Sequence, residues 1–420
     1  MLISKFKIYS TSFFTAIFFS FSGYYVLLML CSNLLGLSYS QYFTIPVRIL
    51  IVLLFFICFI LIGRQEQSKK PVFLAFIAFS IAYIVRITTE TLGGVHNHMN
   101  NGAFLLYYLS FCFLPFLFLL LKKELPTDLK LYKWAILSSG FILALLSFVF
   151  YKDIIGTVGR ISLAVSKDEN YISPLALSYS GSLTMGVALL LLLTEKNSKF
   201  TKLTLWLIAG VSCIPFFLGA SRGSVLSLAV PFILFILNHR SKLTSIYLML
   251  AFVLFSFGVV ALSEQFGSSV ISRFMGIEED ISSGSSSASR IGIWEYALNH
   301  FYDSPLFGSS LEVPETGHYP HNIYIEVLMT TGIVGFIPFM FIIVKTMLQS
   351  LYIFKHKPEL SWIAAIFLQN IIQNSFSGAI YGASWLFVSM AMVLCVDFRS
   401  EVATTQRVQV FGRKRVGAGA

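Results

Sequence analysis

Charge is scarce in this sequence. Only 12% of the 420 residues are charged, about half of the roughly 25% that a soluble domain carries on its surface. The composition therefore excludes a soluble globular protein. Apolar residues make up 56% of the chain and come in runs of roughly 16 to 22, long enough to cross a hydrocarbon core about 30 Å thick. The runs do not alternate in hydrophobicity as barrel strands do, so a polytopic helical membrane protein is predicted.

The sequence also lacks the motifs of several enzyme classes. It contains no P-loop, Gly-rich dinucleotide turn, G-x-S-x-G elbow or H-E-x-x-H pattern, which disfavours ATP-driven and zinc-hydrolytic functions. The cysteines have no paired spacing, so neither a disulfide framework nor a zinc site is predicted. All of them lie in or at the end of apolar runs: Cys31, Cys58, Cys112, Cys213 and Cys395.

The hydropathy pattern predicts an all-α fold with about twelve transmembrane helices in one domain, 1–420. Their approximate positions are 11–31, 46–63, 71–89, 103–121, 134–151, 175–193, 203–219, 224–238, 243–262, 322–344, 361–379 and 383–397. An even number of spans places both termini on one side. A long hydrophilic loop, 263–321, then lies on the opposite side.

The distribution of basic residues predicts the orientation. With the N-terminus in the cytoplasm, 22 of the 30 Lys and Arg residues fall on the cytoplasmic side and 8 on the outer side, as the positive-inside rule requires. Both termini are thus predicted to be cytoplasmic, with a basic tail at 398–420 near anionic lipid. The net charge of +10 is explained by topology, so nucleic acid is not an expected partner.

Arg222 is one of the outer basic residues, in the sequence Gly219-Ala-Ser-Arg-Gly223 between two apolar runs. An arginine this close to hydrocarbon is costly unless it lines a polar cavity or binds an anion. The glycines allow the backbone to break there. A tight outer turn whose arginine reaches the lipid headgroups is an equally open interpretation.

Arg290 begins a segment in which Ile291, Trp294, Leu298 and Phe301 follow helical spacing, ended by Asp303-Ser-Pro305. The pattern predicts an amphipathic helix along the outer membrane surface. Arg290 in its first turn is either a solvated surface charge or a ligand-binding group.

His321 lies between Pro320 and the apolar run that begins at Ile323. At a helix N-terminus the dipole would keep the imidazole neutral and able to accept a proton. Glu326 lies about 140° away around that helix, so the two cannot form a dyad on one face. His318 is a rival candidate on the loop side, and a headgroup-level polar histidine is the simpler interpretation.

Other outer polar residues could extend a cavity at this face. They include Arg86 with Glu90, His96 and His98, and Arg160, which is a candidate phosphate contact from its position alone.

Three stretches, taken in order, resemble the O-antigen polymerase and O-antigen ligase superfamily of bacterial inner membranes. They are Ser221-Arg-Gly-Ser224, the segment from Ser289-Arg-Ile-Gly-Ile-Trp to Asp303-Ser-Pro-Leu-Phe-Gly308, and His321-Asn-Ile-Tyr-Ile-Glu-Val-Leu-Met-Thr-Thr-Gly-Ile-Val-Gly335. They cover about 115 residues, 221–335. The long outer loop before the histidine also agrees.

The resemblance implies a metal-independent inverting glycosyltransferase of the inner membrane, without a cofactor, with a GT-C-like helical fold and a periplasmic active site. Its donor would be an oligosaccharide on undecaprenyl pyrophosphate. Arg222 and Arg290 would bind the pyrophosphate, and His321 would orient or deprotonate the acceptor hydroxyl. Two arginines can stabilise a leaving pyrophosphate by bidentate hydrogen bonds.

Polymerisation of repeat units is the favoured activity, because Arg290 and His321 are only 31 positions apart, a shorter loop than the ligases of the family tend to have. The acceptor would then be a second lipid-linked glycan, and a chain-length regulator could be a further partner. The alternative is a ligase that transfers the glycan to lipid A-core. A third hypothesis, a transporter for a lipid-linked sugar or another anion, lacks the internal repeats typical of that class.

Overall fold

The computed structural model describes residues 2–35, 41–63, 70–122, 127–155, 157, 159–161, 172–239, 241–269, 271 and 286–396. The predicted basic tail at 398–420 lies outside these ranges, as does part of the predicted loop at 263–321. Within them the chain is helical, with no β-strand and one isolated bridge between Val313 and His318. The predicted all-α fold is therefore confirmed for the described residues.

The helices are numbered in chain order over the described residues. They are α1 (Leu2–Ser20), α2 (Gly23–Leu35), α3 (Gln41–Ile62), α4 (Lys70–Leu92), α5 (Asn101–Tyr107), a π-helix (Tyr108–Phe113), α6 (Leu114–Leu121), α7 (Asp128–Tyr151), α8 (Pro174–Thr194), α9 (Lys199–Gly219), α10 (Arg222–Asn238), α11 (Lys242–Gln265), α12 (Ser286–Asp303), α13 (Ile323–His356), α14 (Ser361–Ser377) and α15 (Ser384–Cys395). Short 3₁₀ segments at Lys152–Ile154, Pro358–Leu360 and Ile380–Gly382 join some of them.

Among the described residues, 8 helices are long and apolar enough to cross a membrane, or up to 9 if a bent pair counts as one span. That pair is α1 and α2, which meet at 68°. Every predicted span contains a helix, but α10 and α14 have 17 residues each and α15 has 12. The polytopic character is confirmed, whereas the count of twelve crossings stays a prediction.

Three helices form the interior of the bundle. The apolar window of α8 is 83% buried, and nearly all residues of α14 and α15 are buried as well. α8 packs against α9, α10 and α14, and α14 packs against α10, α13 and α15. An interior helix does not have to face lipid along its whole length, which explains how α14 and α15 can be short.

Helix α13 is broken at Gly332, whose φ of 58° and ψ of −161° are not helical. The freed backbone N–H groups of Ile333 and Val334 donate to the carbonyls of Pro305 and Leu306 at 2.9 and 3.1 Å. Met329, the carbonyl partner that Ile333 would have in a regular helix, instead accepts from the N–H of Ser309 at 2.8 Å. The loop after α12 thus satisfies the backbone groups that the break exposes.

Arg86 of α4 completes this arrangement. Its guanidinium donates to the carbonyls of Thr330 at 3.1 Å, Ser309 at 3.0 Å and Phe307 at 3.0 Å, and also to that of Gly308. The sequence suggested Arg86 as an extension of a ligand cavity, but the structure uses it to hold the loop against α13. Five donors in a fixed fork suit such a cluster of carbonyls.

Two buried carboxylates hold the neighbouring loops in place. Glu90 accepts from the backbone N–H of Leu311 and the side chain of Asn97, both at 2.7 Å. Glu312 accepts from the backbone N–H of His98 at 2.6 Å and from that of Met99. The segment between α12 and α13 is therefore fixed at both sides, which positions the histidine at its end.

Candidate functional site

The first part of the site is the turn that presents Arg222. Helix α9 ends at Gly219 and α10 begins at Arg222, so the chain reverses within two residues, as the sequence indicated. Ala220 adopts a left-handed conformation with φ 43° to make this reversal. At Gly223 a Cβ atom would lie 2.4 Å from the Tyr179 hydroxyl oxygen, so a larger residue would displace the side chain of Tyr179.

Arg160 lies at the same turn. Its Nε donates to the carbonyl of Gly219 at 3.1 Å, three residues before Arg222. The structure therefore places Arg160 at the turn that precedes Arg222. The role of Arg160 as a phosphate contact stays a prediction.

The predicted amphipathic helix forms as α12, with Arg290 partly buried in its second turn. Ile293 and Ala297 make the face that packs on protein, with Val313 and Met329, whereas Ile291 of the apolar stripe is 46% exposed. An exposed apolar stripe is compatible with a helix along the membrane surface, and that placement stays a prediction.

Trp294 connects α12 to the histidine. Its indole N–H donates to the carbonyl of Pro320 at 2.7 Å, immediately before His321. The position of His321 is thus tied to the helix that carries Arg290.

His321 has an unusual backbone conformation, with φ 57°. Left-handed backbone costs roughly 1–2 kcal/mol for a residue other than glycine, and such strain is typical of functional positions. Asn322 caps α13, because its Oδ1 accepts from the N–H groups of Tyr324 and Ile325 at 3.0 and 3.3 Å. The cap and Pro320 together fix the histidine between them.

The imidazole of His321 packs against Tyr319, and one of its nitrogens has no hydrogen-bond partner among the described residues. Its ring lies 4.3 Å from the ring of Tyr319, centroid to centroid. Its Nδ1 is buried and has no hydrogen-bond partner among the described residues. A buried polar atom without a partner calls for a ligand or a water to complete it.

Arg290 is the electrostatic centre of the site. Its charge acts on Arg222, on Tyr319 and on His321, so residues 68 and 31 positions away from it in the sequence meet in one region. Two guanidinium groups that repel each other are costly, and an anion between them would remove that cost.

The pKa of His321 is lowered from 6.5 to about 4, first by burial and then by the positive charge of Arg290. The predicted neutral imidazole is therefore supported, although the main causes are burial and Arg290 and not the helix dipole. At pH 7 the ring can accept a hydrogen bond or a proton.

The remaining candidates occupy different positions. His318 is exposed and bonded through its backbone to Val313, with its ring 5.9 Å from that of His98. Glu326 is fully buried, and both carboxylate oxygens accept from the backbone N–H of Ile380 at 3.1 Å. No hydrogen bond joins Glu326 to His321 in the described structure, in agreement with the angle between them on α13.

Sequence reasoning missed several residues next to the site. The hydroxyl of Tyr179 bonds to that of Ser377 at 2.7 Å, and Tyr381 lies 5.8 Å from Tyr319, centroid to centroid. These residues lie in or beside apolar runs, where Tyr and Ser carry no distinguishing signal. Their proximity to the site depends on how α8, α14 and α15 pack.

No group of three or more His, Cys, Asp or Glu residues in the described part of the chain is placed to hold a metal ion. The polar groups that converge are basic, aromatic and hydroxyl side chains. Such a set suits an anionic ligand.

Comparison with known proteins agrees with this geometry. Residues 203–340 match the family model described as O-antigen ligase. The matched range contains Arg222, Arg290 and His321 and most of the elements that hold them. No curated protein and no solved structure matches the chain. The match and the apolar helices together indicate an integral membrane protein with a function of the O-antigen polymerase or ligase type.

Proposed function

We propose that this chain, a member of the O-antigen polymerase and ligase superfamily through its residues 203–340, is a periplasmic-side inner-membrane glycosyltransferase that polymerises lipid-linked repeat units. The donor is a glycan on undecaprenyl pyrophosphate, and the acceptor is the terminal sugar of a second lipid-linked glycan. The observation that carries the proposal is the convergence of Arg290 with Arg222 and His321.

Arg222 and Arg290 bind the pyrophosphate in this mechanism. As the glycosidic bond to the lipid breaks, negative charge grows on the leaving phosphate, and two arginines stabilise that charge more in the transition state than in the ground state. No metal is required for this step. The acceptor hydroxyl attacks the anomeric carbon from the opposite face, which inverts its configuration.

His321 acts on the acceptor. Its open Nδ1 accepts the hydrogen bond of the attacking hydroxyl and removes the proton as the new glycosidic bond forms. A base with a pKa of about 4 is weak at pH 7, but bound pyrophosphate offsets the charge of Arg290. The histidine thus becomes more basic when the donor is in place.

This effect of the bound donor on His321 leads to a prediction for the pKa of its imidazole. Adding inorganic pyrophosphate to the purified protein should raise the pKa of His321 above about 4, because negative charge beside an imidazole favours its protonated form. The measurement is an NMR titration of ¹⁵N-histidine-labelled protein in nanodiscs, with the resonance assigned by His321→Asn. Arg290→Gln should raise the pKa without pyrophosphate, since it removes the positive neighbour. An unchanged pKa in both experiments contradicts the coupling.

Activity is tested by reconstitution with a purified undecaprenyl-pyrophosphate repeat unit in the presence of EDTA. The wild-type protein should form a ladder of products. Arg222→Gln and Arg290→Gln should each reduce the rate by about 10²- to 10³-fold, as the loss of one oxyanion-binding group does. Lys152→Gln, which removes an exposed basic residue outside the site, should retain full activity. Equal activity in all variants overturns the site assignment.

The description of the matching family as O-antigen ligase makes ligation to lipid A-core the second candidate. A deletion strain separates the two activities. Loss of a polymerase leaves core that carries one repeat unit, whereas loss of a ligase leaves bare core. In the reconstituted system, a product that forms only when lipid A-core is added indicates the ligase.

A further inference from the structure

A partly open cavity of about 260 Å³, lined by both polar and apolar side chains, lies between helices of the bundle, beside the site described above. It is bounded by the bend between α1 and α2, the start of α8, the end of α14 and the start of α15. Tyr179 and Ser377 line it, and their hydroxyl groups bond to each other. Because Tyr179 also contacts the Gly223 position next to Arg222, this pair separates the cavity from the arginine site.

Arg48 of α3 is the only charged residue among the described residues that line the cavity. Arg48 is only 8% exposed. Its Nε and Nη1 have no hydrogen-bond partner in the described structure. The guanidinium carbon lies 3.5 Å from the ring centroid of Tyr107 and 3.7 Å from that of Phe111. The aromatic residues hold the guanidinium in place, but its Nε and Nη1 stay without a partner among the described residues.

Two amide side chains of α14 also have polar atoms that lack hydrogen bonds to the described residues. The Oδ1 of Asn370 and the Nε2 of Gln373 are buried without hydrogen-bond partners among the described residues, and both residues line the cavity. Polar atoms of one arginine and two amides that lack hydrogen bonds around one cavity lower the stability of the fold considerably. A ligand that brings both acceptors and donors would remove that cost.

The π-helix next to Arg48 supports a functional role for this region. Phe111 belongs to the π-helix Tyr108–Phe113, and Tyr107 immediately precedes it. π-Helical turns are rare and occur frequently at functional sites. The irregular turn and the residue before it supply the two rings that contact the guanidinium.

We propose that the Arg48 cavity binds an acidic sugar unit of the glycan, with the carboxylate on Arg48 and hydroxyl groups on Asn370 and Gln373. This inference rests on the proposed function for the source of the sugar. A buried arginine with no carboxylate in its cavity needs an anion, and an amide pair with aromatic walls suits the hydroxyls and faces of a sugar ring. The volume equals that of about nine waters at roughly 30 Å³ each, which is enough for a single hexose.

The position of the cavity explains how it could act on the reaction. Rings connect it to the histidine, since Tyr107 lies 6.2 Å from Tyr381, Tyr381 lies 5.8 Å from Tyr319, and Tyr319 contacts His321, all between centroids. Three aromatic side chains in series would therefore connect a sugar held by Arg48 to His321. Recognition of an acidic unit at this distance would select which glycans are extended.

The test measures binding without transfer. Radiolabelled glucuronate and glucose, which share a ring size and differ in charge, are bound to the purified full-length protein in nanodiscs. Glucuronate should bind more tightly than glucose, and Arg48→Gln should weaken its binding by about 10- to 100-fold, the range for hydrogen bonds to a charged group. Lys152→Gln should leave binding unchanged. Activity is not needed, so failure of the proposed transfer reaction does not affect this result.

Stability measurements distinguish a ligand site from a structural arginine. If Arg48 serves a ligand, Arg48→Gln should raise the melting temperature of the ligand-free protein, because it removes a buried unpaired charge. Gln373→Glu should also weaken glucuronate binding, since it adds a competing carboxylate to the cavity. A lower melting temperature of Arg48→Gln with unchanged glucuronate binding overturns the proposal. Absence of glucuronate binding to the wild type overturns it as well, and so does binding of glycerol 3-phosphate alone, which would indicate a lipid headgroup.

Discussion

Replacing His321 by asparagine should reduce glycan transfer by about 10²- to 10⁴-fold, the contribution of a positioned general base, while the protein stays folded. Asparagine tolerates the left-handed backbone that this position requires, with φ 57°. It can form a hydrogen bond but cannot remove a proton. The rate of ladder formation in the reconstituted system measures the loss, and binding of labelled pyrophosphate should be preserved.

His321→Ala is the informative companion variant. It should lose activity to the same degree but also lose about 1 kcal/mol of unfolding free energy relative to His321→Asn, because alanine fits the left-handed backbone less well. A pH profile of the wild type adds a second readout. For kcat/KM, which reports the free enzyme, the acidic limb should lie below the ordinary histidine value of 6.5, since the depressed pKa keeps the base neutral to lower pH. Full activity of His321→Asn, or an acidic limb well above pH 6.5, contradicts the assigned role.

The lowered pKa of His321 determines how the stability of the fold changes with pH. A histidine whose pKa is lower in the folded protein than in the unfolded chain binds fewer protons when folded, so stability rises with pH in that range. His321 therefore stabilises the fold fully above about pH 6.5 and progressively less as the pH falls toward about 4. The proposed donor complex, with a higher pKa, should be less sensitive to acid.

The sequence predicted the parts of the site that are local. The turn at Arg222 followed from two apolar runs with almost no loop between them, and the placement of His321 followed from Pro320 and the run that begins at Ile323. Both are properties of a few adjacent residues. The structure adds the electrostatic effect of Arg290 on each, which depends on the packing of α12.

Arg48 shows what the sequence does not reveal. Its only signal is a single charge near the start of an apolar run, which does not distinguish it from the other outer basic residues. Its cavity is built by α1, α2, α3, α8, α14, α15 and the π-helix, which are far apart in the chain. The depletion of charge that excludes a soluble protein also makes a buried arginine informative, because its burial is costly without a structural partner or a ligand.

The motifs from 303 to 335 combine two roles. His321 and its neighbours provide chemistry, whereas Pro305, Gly308 and Gly332 take part in the break in α13. A pattern search does not separate these roles, since both appear as characteristic residues. The backbone conformation separates them: Gly308 and Gly332 have φ values of 72° and 58° and no side chain that could react.

Replacing Gly332 by alanine should destabilise the fold more than any of the substitutions at Arg48, Gly292 or His321. Its φ of 58° and ψ of −161° lie near a region that is open almost only to glycine. A Cβ atom would also lie 2.4 Å from the Leu306 carbonyl carbon and 2.6 Å from the Phe307 nitrogen, and both are backbone atoms that cannot rotate away. The α13 break and the loop after α12 would have to separate, so we expect a loss of at least about 4 kcal/mol or failure to accumulate in the membrane.

Gly308→Ala should behave similarly, because its Cβ atom would lie 2.5 Å from the backbone of Met329. Gly292→Ala is the matched control: Gly292 lies in α12, and nothing is within 4 Å of its Cβ position. That variant should be neutral or gain up to about 1 kcal/mol from the higher helix propensity of alanine. Thermal unfolding in nanodiscs, followed by loss of monomeric protein on size-exclusion chromatography, measures all three. A Gly332→Ala protein as stable as Gly292→Ala would show that α13 does not require the break, and the loop that positions His321 would then need another anchor.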